Sequence, residues 1–271
     1  MTWHRYYIHA YEQRLNACGY NGALPYWEWG LDVNNIKASP VFDGSDTSVS
    51  GDGASVPHGP LILSLPGPPG NTVTIPAGQG GGCVTQGPFK DMVVHLGPIA
   101  LPVPGSANFT GITGDFFQDN PRCLRRDLSS ASIKRFSSFQ NTTNLILTKP
   151  NIEQFQAHLQ GDPRYILGEL GPHGGGHYGI GGNPGGDVFT SPGDPAFYLH
   201  HAQIDRIYWL WQLLDFPNRQ NVWGTGTLLD QPPSPNVTVN DSIDISPIAG
   251  PVQIKNLLNT VTGSPLCYVY L

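Results

Sequence analysis

Four histidines stand close together in the C-terminal half of the sequence. His173 and His177 are four residues apart, and His200 and His201 are adjacent. Residues four apart share one face of an α-helix, so the first pair could bind one metal ion. A histidine from a second helical segment would complete a site of three imidazoles, which is how metal sites inside helical bundles are built. Imidazole suits copper, zinc, iron and nickel, so the donors alone do not choose the metal.

The two adjacent histidines cannot both point to one ion, because consecutive helix residues differ by about 100° around the axis. His201 lies four residues after Phe197 and four before Asp205, on the stripe that we expect to face inward. We therefore predict that His201 is the ligand and that His200 faces another surface. Asp205 is expected to orient a ligand ring or to pair with an arginine such as Arg5 or Arg206, and an ion pair on the helix surface is the alternative.

Three glycines separate His173 from His177. Each glycine in a helix costs up to ~1 kcal/mol relative to alanine, so propensity alone does not predict a helix here. Metal ligation is one way to hold such a turn. We expect the missing side chains to leave the site open to substrate.

Periodicity, caps and breakers predict the elements that must position these side chains. Helices are predicted over residues 2–17, 127–139, 151–160 and 194–215, and residues 165–179 carry the first histidine pair. Asp127 and Asp194 are the expected N-caps of two of these helices. Short strands are predicted at 61–64 and 72–75, with a further one at 92–96. Gly 34 and Pro 26 among 271 residues predict long irregular loops.

The composition excludes several classes of partner. Charged residues are 13% of the chain and the formal net charge is −6, so no basic stripe is available to neutralise nucleic-acid phosphates. No stretch approaches the ~18 apolar residues of a membrane span. We therefore expect neither nucleic acid nor a membrane as a partner. Four N-glycosylation sequons suggest a glycoprotein, at Asn108, Asn141, Asn236 and Asn240.

The cysteines are widely spaced, at Cys18, Cys83, Cys123 and Cys267. None forms a C-x-x-C pair, which argues against a zinc site. Two disulfides in an oxidising compartment fit this number, with three possible pairings. Four buried thiols are the alternative.

Four segments of the sequence resemble the tyrosinases, catechol oxidases and haemocyanins, which are type-3 copper proteins. Asp194-Pro-Ala-Phe-Tyr-Leu-His200-His201, followed by Asp205-Arg206, resembles the second copper motif of this family. Residues 3–7 are similar to the end of the first copper motif, and residues 25–29 are similar to the family's Pro-Tyr-Trp-Asp-Trp segment. Residues 267–270 are similar to the tyrosine motif that closes the catalytic domain. The resemblance implies a mainly α fold with a four-helix-bundle core, long Gly/Pro-rich loops and a few short strands, in one catalytic domain over residues 1–271.

The resemblance implies copper ligands at His173, His177 and His201 for one ion and at His4 for the other. The family pattern has two more histidines before His4, but only three residues precede it. We therefore expect that the first copper motif is incomplete in this sequence, and that a signal peptide is missing with its start. A pseudoenzyme that binds a single copper is the alternative. The remaining histidines are expected to be structural or surface residues, namely His9, His58, His95 and His158.

The family implies both the reaction and its cofactor. Two coppers, each held by three histidines, bind O2 and oxidise a phenolic substrate to the quinone. Monophenol hydroxylation also needs a general base, and proficient members often carry Asn or Asp directly after the first histidine of the second motif, where it holds a basic water together with a Glu. Here that position is Gly174, with Glu169 as the candidate Glu, and Phe197 matches the aromatic gate over the second copper.

We therefore predict a secreted oxidase of o-diphenols or o-aminophenols, with weak monophenol hydroxylation and no C-terminal shielding domain. An O2 carrier of the haemocyanin kind fits less well, because it buries its site under a domain for which this chain has no residues. A zinc or copper hydrolase would need a base such as the Glu of H-E-x-x-H, which is absent between His173 and His177. The sequence gives no oligomeric state.

Overall fold

The computed structural model describes residues 1–262 and 264–271. The helices are α1 (Thr2–Ala17), α2 (Ser130–Phe136), α3 (Phe139–Thr148), α4 (Ile152–Gln160), α5 (Gly171–Ile180) and α6 (Ala196–Leu213). The strands are β1 (Gly53–Ser55), β2 (Leu61–Ser64), β3 (Thr72–Ile75), β4 (Gly81–Val84), β5 (Val93–Val94), β6 (Leu101–Pro102), β7 (Phe109–Thr110), β8 (Arg122–Cys123), β9 (Ser242–Ile245) and β10 (Ala249–Gln253). They form antiparallel pairs, β1 with β4, β2 with β3, β5 with β8, β6 with β7 and β9 with β10. The predicted fold, mainly helical with a few short strands, is confirmed.

Most elements begin and end close to the predicted residues. α1, β2 and β3 have the predicted bounds, and α4, β5 and α6 lie within the predicted ranges. The helix predicted over 127–139 is wrong at its start. α2 begins at Ser130 because Ser129 is its N-cap, with a hydroxyl that accepts from the Ser132 N–H. Asp127 instead accepts hydrogen bonds from the N–H groups of Gly78 and Gly80, each at 3.1 Å.

The chain forms two compact units. The first comprises Met1–Tyr26, Asn144–Ala157 and His201–Leu271, and the second comprises Trp27–Thr143 and His158–His200. Helices α3, α4 and α6 each contain residues of both units. The single catalytic domain over residues 1–271 stays a prediction.

In the first unit, a buried carboxylate joins α1 to the C-terminal segment. Asp205 Oδ1 accepts from Arg5 Nε at 2.5 Å, and both side chains are buried. The second oxygen, Oδ2, accepts from the hydroxyls of Tyr268 at 2.6 Å and Tyr270 at 2.7 Å. Burial, and then the Asp205 charge, raises the pKa of Tyr268 well above its ordinary value. This hydroxyl therefore stays protonated and donates a hydrogen bond to Asp205. Arg5, one of the two expected partners, is confirmed, and the alternative of a surface ion pair is wrong.

In the second unit, glycines let α5 pack closely against α2. A Cβ at Gly175 would lie 2.5 Å from Phe136 Cβ, and one at Gly179 would lie 2.5 Å from Ile133 Cγ2. Real Cβ atoms do not approach that closely, so alanine at either position would force the two helices apart. These contacts explain why α5 is a helix despite its glycines, because tertiary packing offsets the low propensity. The expectation that the glycines leave the site open is wrong for Gly175 and Gly176, which are both buried.

A buried ion pair holds the start of α6 in the second unit. Arg126 donates from Nε to Asp194 Oδ2 at 2.9 Å and from Nη2 to Oδ1 at 2.6 Å, and both side chains are 0% exposed. Asp194 Oδ1 also accepts from the Ala196 N–H at 2.8 Å. The predicted N-cap is therefore confirmed, and the same carboxylate carries a second interaction that the sequence did not indicate.

The structure has one disulfide among residues 1–262 and 264–271, between Cys83 of β4 and Cys123 of β8. Cys18 and Cys267 are exposed free thiols. The prediction of two disulfides is therefore wrong, and so is the alternative of four buried thiols. No described helix is both long enough and apolar enough to cross a bilayer.

His58 connects the segment after β1 to the loop before α2. Its Nδ1 lies 2.6 Å from the Val56 carbonyl and its Nε2 lies 2.9 Å from Asp127 Oδ2. Both partners are acceptors, so the two ring nitrogens can both donate only when the imidazole is protonated. The hydrogen bond to Val56, followed by the interaction with Asp127, raises the pKa of His58 above its ordinary value.

We expect His58 to make the free energy of unfolding depend on pH. Because its pKa is raised on folding, its contribution is fully present below the unfolded value of about 6.5 and is lost as pH rises through the folded value. Urea unfolding from about pH 6 to about pH 8 should show a smaller loss of stability in His58→Gln than in the parent. His95→Gln is the control, since His95 pairs with Asp119 at the exposed surface. Parallel pH profiles for the parent and His58→Gln would contradict this assignment.

Candidate metal centre

Three imidazoles converge in the second unit. His173 and His177 lie one turn apart on α5, with ring centroids 4.9 Å apart and Nε2 atoms 3.2 Å apart. The ring of His200, from α6, lies 5.7 Å from that of His173 and 4.6 Å from that of His177, measured between centroids. Each residue offers a ring nitrogen within 4.8 Å of the others. Three nitrogen donors at this separation can hold one metal ion.

The position of His200 contradicts the prediction that it faces another surface. The prediction assumed that α6 has a single inward stripe. In the structure this part of α6 is buried on all sides, and His200 and His201 are both 0% exposed. A helix surrounded by protein has no outer face, so angular separation along it does not assign one residue to the interior and its neighbour to the surface.

The other two predicted ligands lie together in the first unit. The ring centroids of His4, on α1, and His201, on α6, are 4.2 Å apart, with the ring planes at 33°. Trp3 packs edge-on against His4 at 4.9 Å. Ligation by His4 and His201 stays a prediction.

Neighbouring groups prepare the α5 histidines as ligands. Gln160 Oε1 lies 2.6 Å from His173 Nδ1, which therefore donates its proton and leaves Nε2 with a lone pair for a metal. Burial lowers the pKa of His177 to about 4, against the smaller opposite effect of a hydrogen bond with the Gly185 backbone. His177 is therefore neutral at physiological pH, as a metal ligand must be.

Gln160 was not identified from the sequence. It ends α4, 13 positions before His173, and no motif connects the two residues. The only sequence signal for Gln160 was that a polar residue stands on the last turn of a predicted helix, directly before Gly161.

We expect Gln160→Leu to weaken copper binding by about 10- to 100-fold, the usual cost of removing a hydrogen-bond partner of a ligating histidine. The matched control is Gln156→Leu, one turn earlier on α4, where the amide donates to the Trp223 carbonyl at 3.4 Å instead. Competition titration against a copper chelator measures both. Equal affinities in the two variants would show that Gln160 does not support the site.

Three further residues were predicted to act at this site. Phe197 is buried with its ring centroid 5.9 Å from that of His177, where it forms an apolar wall. Gly174 lies on α5, and a Cβ there would lie 2.9 Å from Leu170 Cβ. Glu169 lies before the start of α5. The roles of these three residues stay predictions.

Glu169 faces a cation. Its Oε1 lies 3.9 Å from Arg135 Nη2. Burial raises the pKa of Glu169, and the Arg135 charge opposes this effect. The carboxylate therefore already has a partner within its own unit, which weakens the case for a water-holding role.

Comparison with known proteins identifies the family. The family model for the common central domain of tyrosinase matches residues 1–214. This chain belongs to the tyrosinase family. It is 37% identical over 276 residues to oxidase hkm6 of Aspergillus hancockii, across 99% of this chain and 92% of that one. It is also 37% identical over 273 residues to tyrosinase P of Aspergillus terreus, across 100% of this chain and 74% of that one.

A solved structure agrees with this assignment. A polyphenol oxidase variant from Thermothelomyces thermophila matches with a TM-score of 0.88 at 39% identity, covering 100% of this chain and 72% of that one. The resemblance drawn from the sequence motifs is confirmed, and the protein is an oxidoreductase of the tyrosinase family. This family implies copper, and the convergence of imidazoles from His173, His177 and His200 fits that metal.

Proposed function

We propose that this protein uses O2 to oxidise o-diphenols or o-aminophenols to quinones and hydroxylates monophenols weakly. The observation that carries the proposal is the imidazole cluster of His173, His177 and His200 in a chain of the tyrosinase family. Copper bound there would supply the redox centre that takes electrons from the substrate and passes them to O2. His4 and His201 stay predicted ligands, as the family pattern implies.

The chain's own residues supply orientation and an apolar environment. Gln160 holds the Nδ1 proton of His173, so the ring presents Nε2 in one orientation. Phe197, which is 3% exposed, places an aromatic surface beside His177. This surface excludes water from that side of the His177 ring.

The preference for o-diphenols follows from how the phenolic proton is removed. Monophenol hydroxylation depends on a base for that proton more strongly than catechol oxidation does. Gly174 has no side chain to hold a basic water next to His173. Glu169 lies near Arg135 and is poorly suited to replace it.

We expect the copper-loaded protein to oxidise 4-methylcatechol about 100-fold or more faster than it hydroxylates 4-methylphenol, because general-base catalysis contributes about 10²–10⁴-fold. Initial oxygen consumption on the two substrates measures the ratio. Gly174→Asn should raise the phenol rate more than the catechol rate. Gly174→Ala is the control, since it introduces the same Cβ beside Leu170 without an amide. Similar rates on both substrates in the parent would contradict the proposed specificity.

A pseudoenzyme that holds a single copper is the second candidate. The observation that supports this candidate is that His58 pairs with Asp127 and His95 pairs with Asp119. Both histidines are therefore poorly placed to complete a second copper site. Metal analysis of the dialysed protein separates the candidates when it is combined with oxygen uptake. About one copper per chain with no oxygen uptake on either substrate would identify the pseudoenzyme.

A further inference from the structure

A cavity of about 200 Å³ lies in the second unit, lined by β2, β3 and β6 and by the turn that follows α5. None of the candidate copper-binding histidines lines it. We propose that this cavity is a second ligand site, which binds a monocarboxylate whose apolar body is about the size of one six-membered ring. The proposal goes beyond the oxidation of phenols and does not depend on it.

Most of the cavity wall is apolar. Leu61 of β2 and Ile75 of β3 stand directly opposite each other in the hairpin, and both line the cavity. Leu101 and the buried Pro102, both of β6, line it as well. An apolar cavity of about 150 Å³ holds one benzene ring, so this space suits a ligand body of that size. Transfer of such a body from water to the apolar wall favours binding.

One side of the cavity carries a cation and an amide donor. Arg125 and Asn183 exchange backbone hydrogen bonds, at 2.9 Å from the Arg125 N–H and at 3.1 Å from the Asn183 N–H. Residues paired in this way across an antiparallel bridge direct their side chains to the same face. The Asn183 amide oxygen accepts from Arg122 Nη2 at 2.9 Å and from Nε at 3.3 Å. The oxygen is therefore occupied, and the NH₂ group of Asn183 is left as a donor.

The one acid among the lining residues is already engaged. Asp127 Oδ2 lies 2.9 Å from His58 Nε2, and the N–H groups of Gly78 and Gly80 donate to the same carboxylate at 3.1 Å. The guanidinium of Arg125 has neither an ion pair nor a hydrogen bond in the part of the chain that the structure describes. This side of the cavity therefore offers a positive charge and donors, and it lacks a matching anion.

A carboxylate fits this combination better than a neutral or a doubly charged head group. Its two oxygens can accept from the Arg125 guanidinium as a bidentate pair, which is among the stronger kinds of hydrogen bond. A phosphate monoester would bring up to two negative charges, and one guanidinium offsets only one of them. Arg125 is exposed, so it would hold the head group next to solvent, where the cost of desolvating the charges is low, while the apolar body enters the cavity.

The test is a calorimetric titration of the full chain before copper is added, so that no metal can hold the carboxylate. The probe is cyclohexanecarboxylate, with its neutral amide and acetate as controls that lack the charge and the ring. We expect the probe to bind at least about 10-fold more tightly than either control, since each loses one of the two interactions. Arg125→Gln should weaken binding of the probe by about 10- to 100-fold. Arg164→Gln is the matched control, because Arg164 pairs with Asp162 at 2.7 Å and does not line the cavity.

A second measurement locates the bound probe. In methyl NMR spectra, the signals of Leu61, Ile75 and Leu101 should shift when cyclohexanecarboxylate is added. Leu101→Trp should fill the cavity and abolish binding, whereas Leu96→Trp, at a residue that is 48% exposed and outside the cavity, should retain it. Equal affinity in the parent and Arg125→Gln, or methyl shifts confined to residues outside the cavity, would overturn the proposal. Because the titration needs no copper, such a failure would leave the proposed oxidation of o-diphenols untouched.

Discussion

Asp194→Asn is expected to lower the free energy of unfolding by about 3–5 kcal/mol, which is the usual cost of breaking a buried ion pair by removing one partner. The Arg126 guanidinium would keep its buried position, with 0% of its side chain exposed, but would lose its counter-charge. The same carboxylate receives the Ala196 N–H at the start of α6. Copper affinity should therefore fall as well, because His200 lies on the second turn of that helix.

Asp119→Asn is the matched control for this effect. It makes the same chemical change in an ion pair with His95, whose side chains are 58% and 70% exposed for His95 and Asp119. Exposed pairs contribute about 0–1 kcal/mol, so urea unfolding should separate the two variants clearly. A loss below about 1 kcal/mol in Asp194→Asn would show that the buried pair does not stabilise the fold.

His177→Ala is expected to abolish tight copper binding, with a loss of affinity greater than the ~100-fold upper range for residues that only support a ligand. His177 is a half-buried member of the cluster that is neutral at physiological pH, with a pKa lowered to about 4, and its Nε2 lies 3.2 Å from that of His173. Oxidation of o-diphenols should fall to the background rate with the copper. Metal analysis after dialysis and oxygen uptake on 4-methylcatechol give the two measurements.

His95→Ala serves as the control for a lost imidazole, since His95 is exposed and pairs with Asp119. It should retain copper and activity at the parent level. If His177→Ala also retained copper while folding normally, the metal would have to be held elsewhere, and the assignment of the cluster would be wrong.

The sequence predicted the elements whose signals are local. The bounds of α1 follow from apolar periodicity, and the start of α6 follows from Asp194 as an N-cap. Each of these signals depends on residues within a few positions of each other. The pair His173 and His177 was identified for the same reason, because a four-residue spacing is read within one helix turn.

Features that depend on distant residues were missed or misplaced. Gln160 acts on His173 through a side-chain contact that no spacing rule describes. His200 was assigned to another surface because the sequence does not show that α6 is enclosed on all sides around this residue. The glycines of α5 were predicted to leave the site open. In the structure, Phe136 occupies the space where a side chain at Gly175 would stand, and the His200 ring occupies that space at Gly176. In each case the deciding contact comes from another element, which local periodicity cannot report.

The hydrogen bonds of Asp205 also constrain how the protein can be made. Arg5 leaves the ribosome 200 residues before Asp205, and Tyr268 follows 63 residues after it. Contacts across such separations close late, so α1 must wait through most of translation for the partners that complete its surroundings. A chain stopped after residue 214, where the match to the tyrosinase model ends, would leave a buried carboxylate without its tyrosine donors. The piece by which the family is recognised therefore lacks two of the donors that this carboxylate uses.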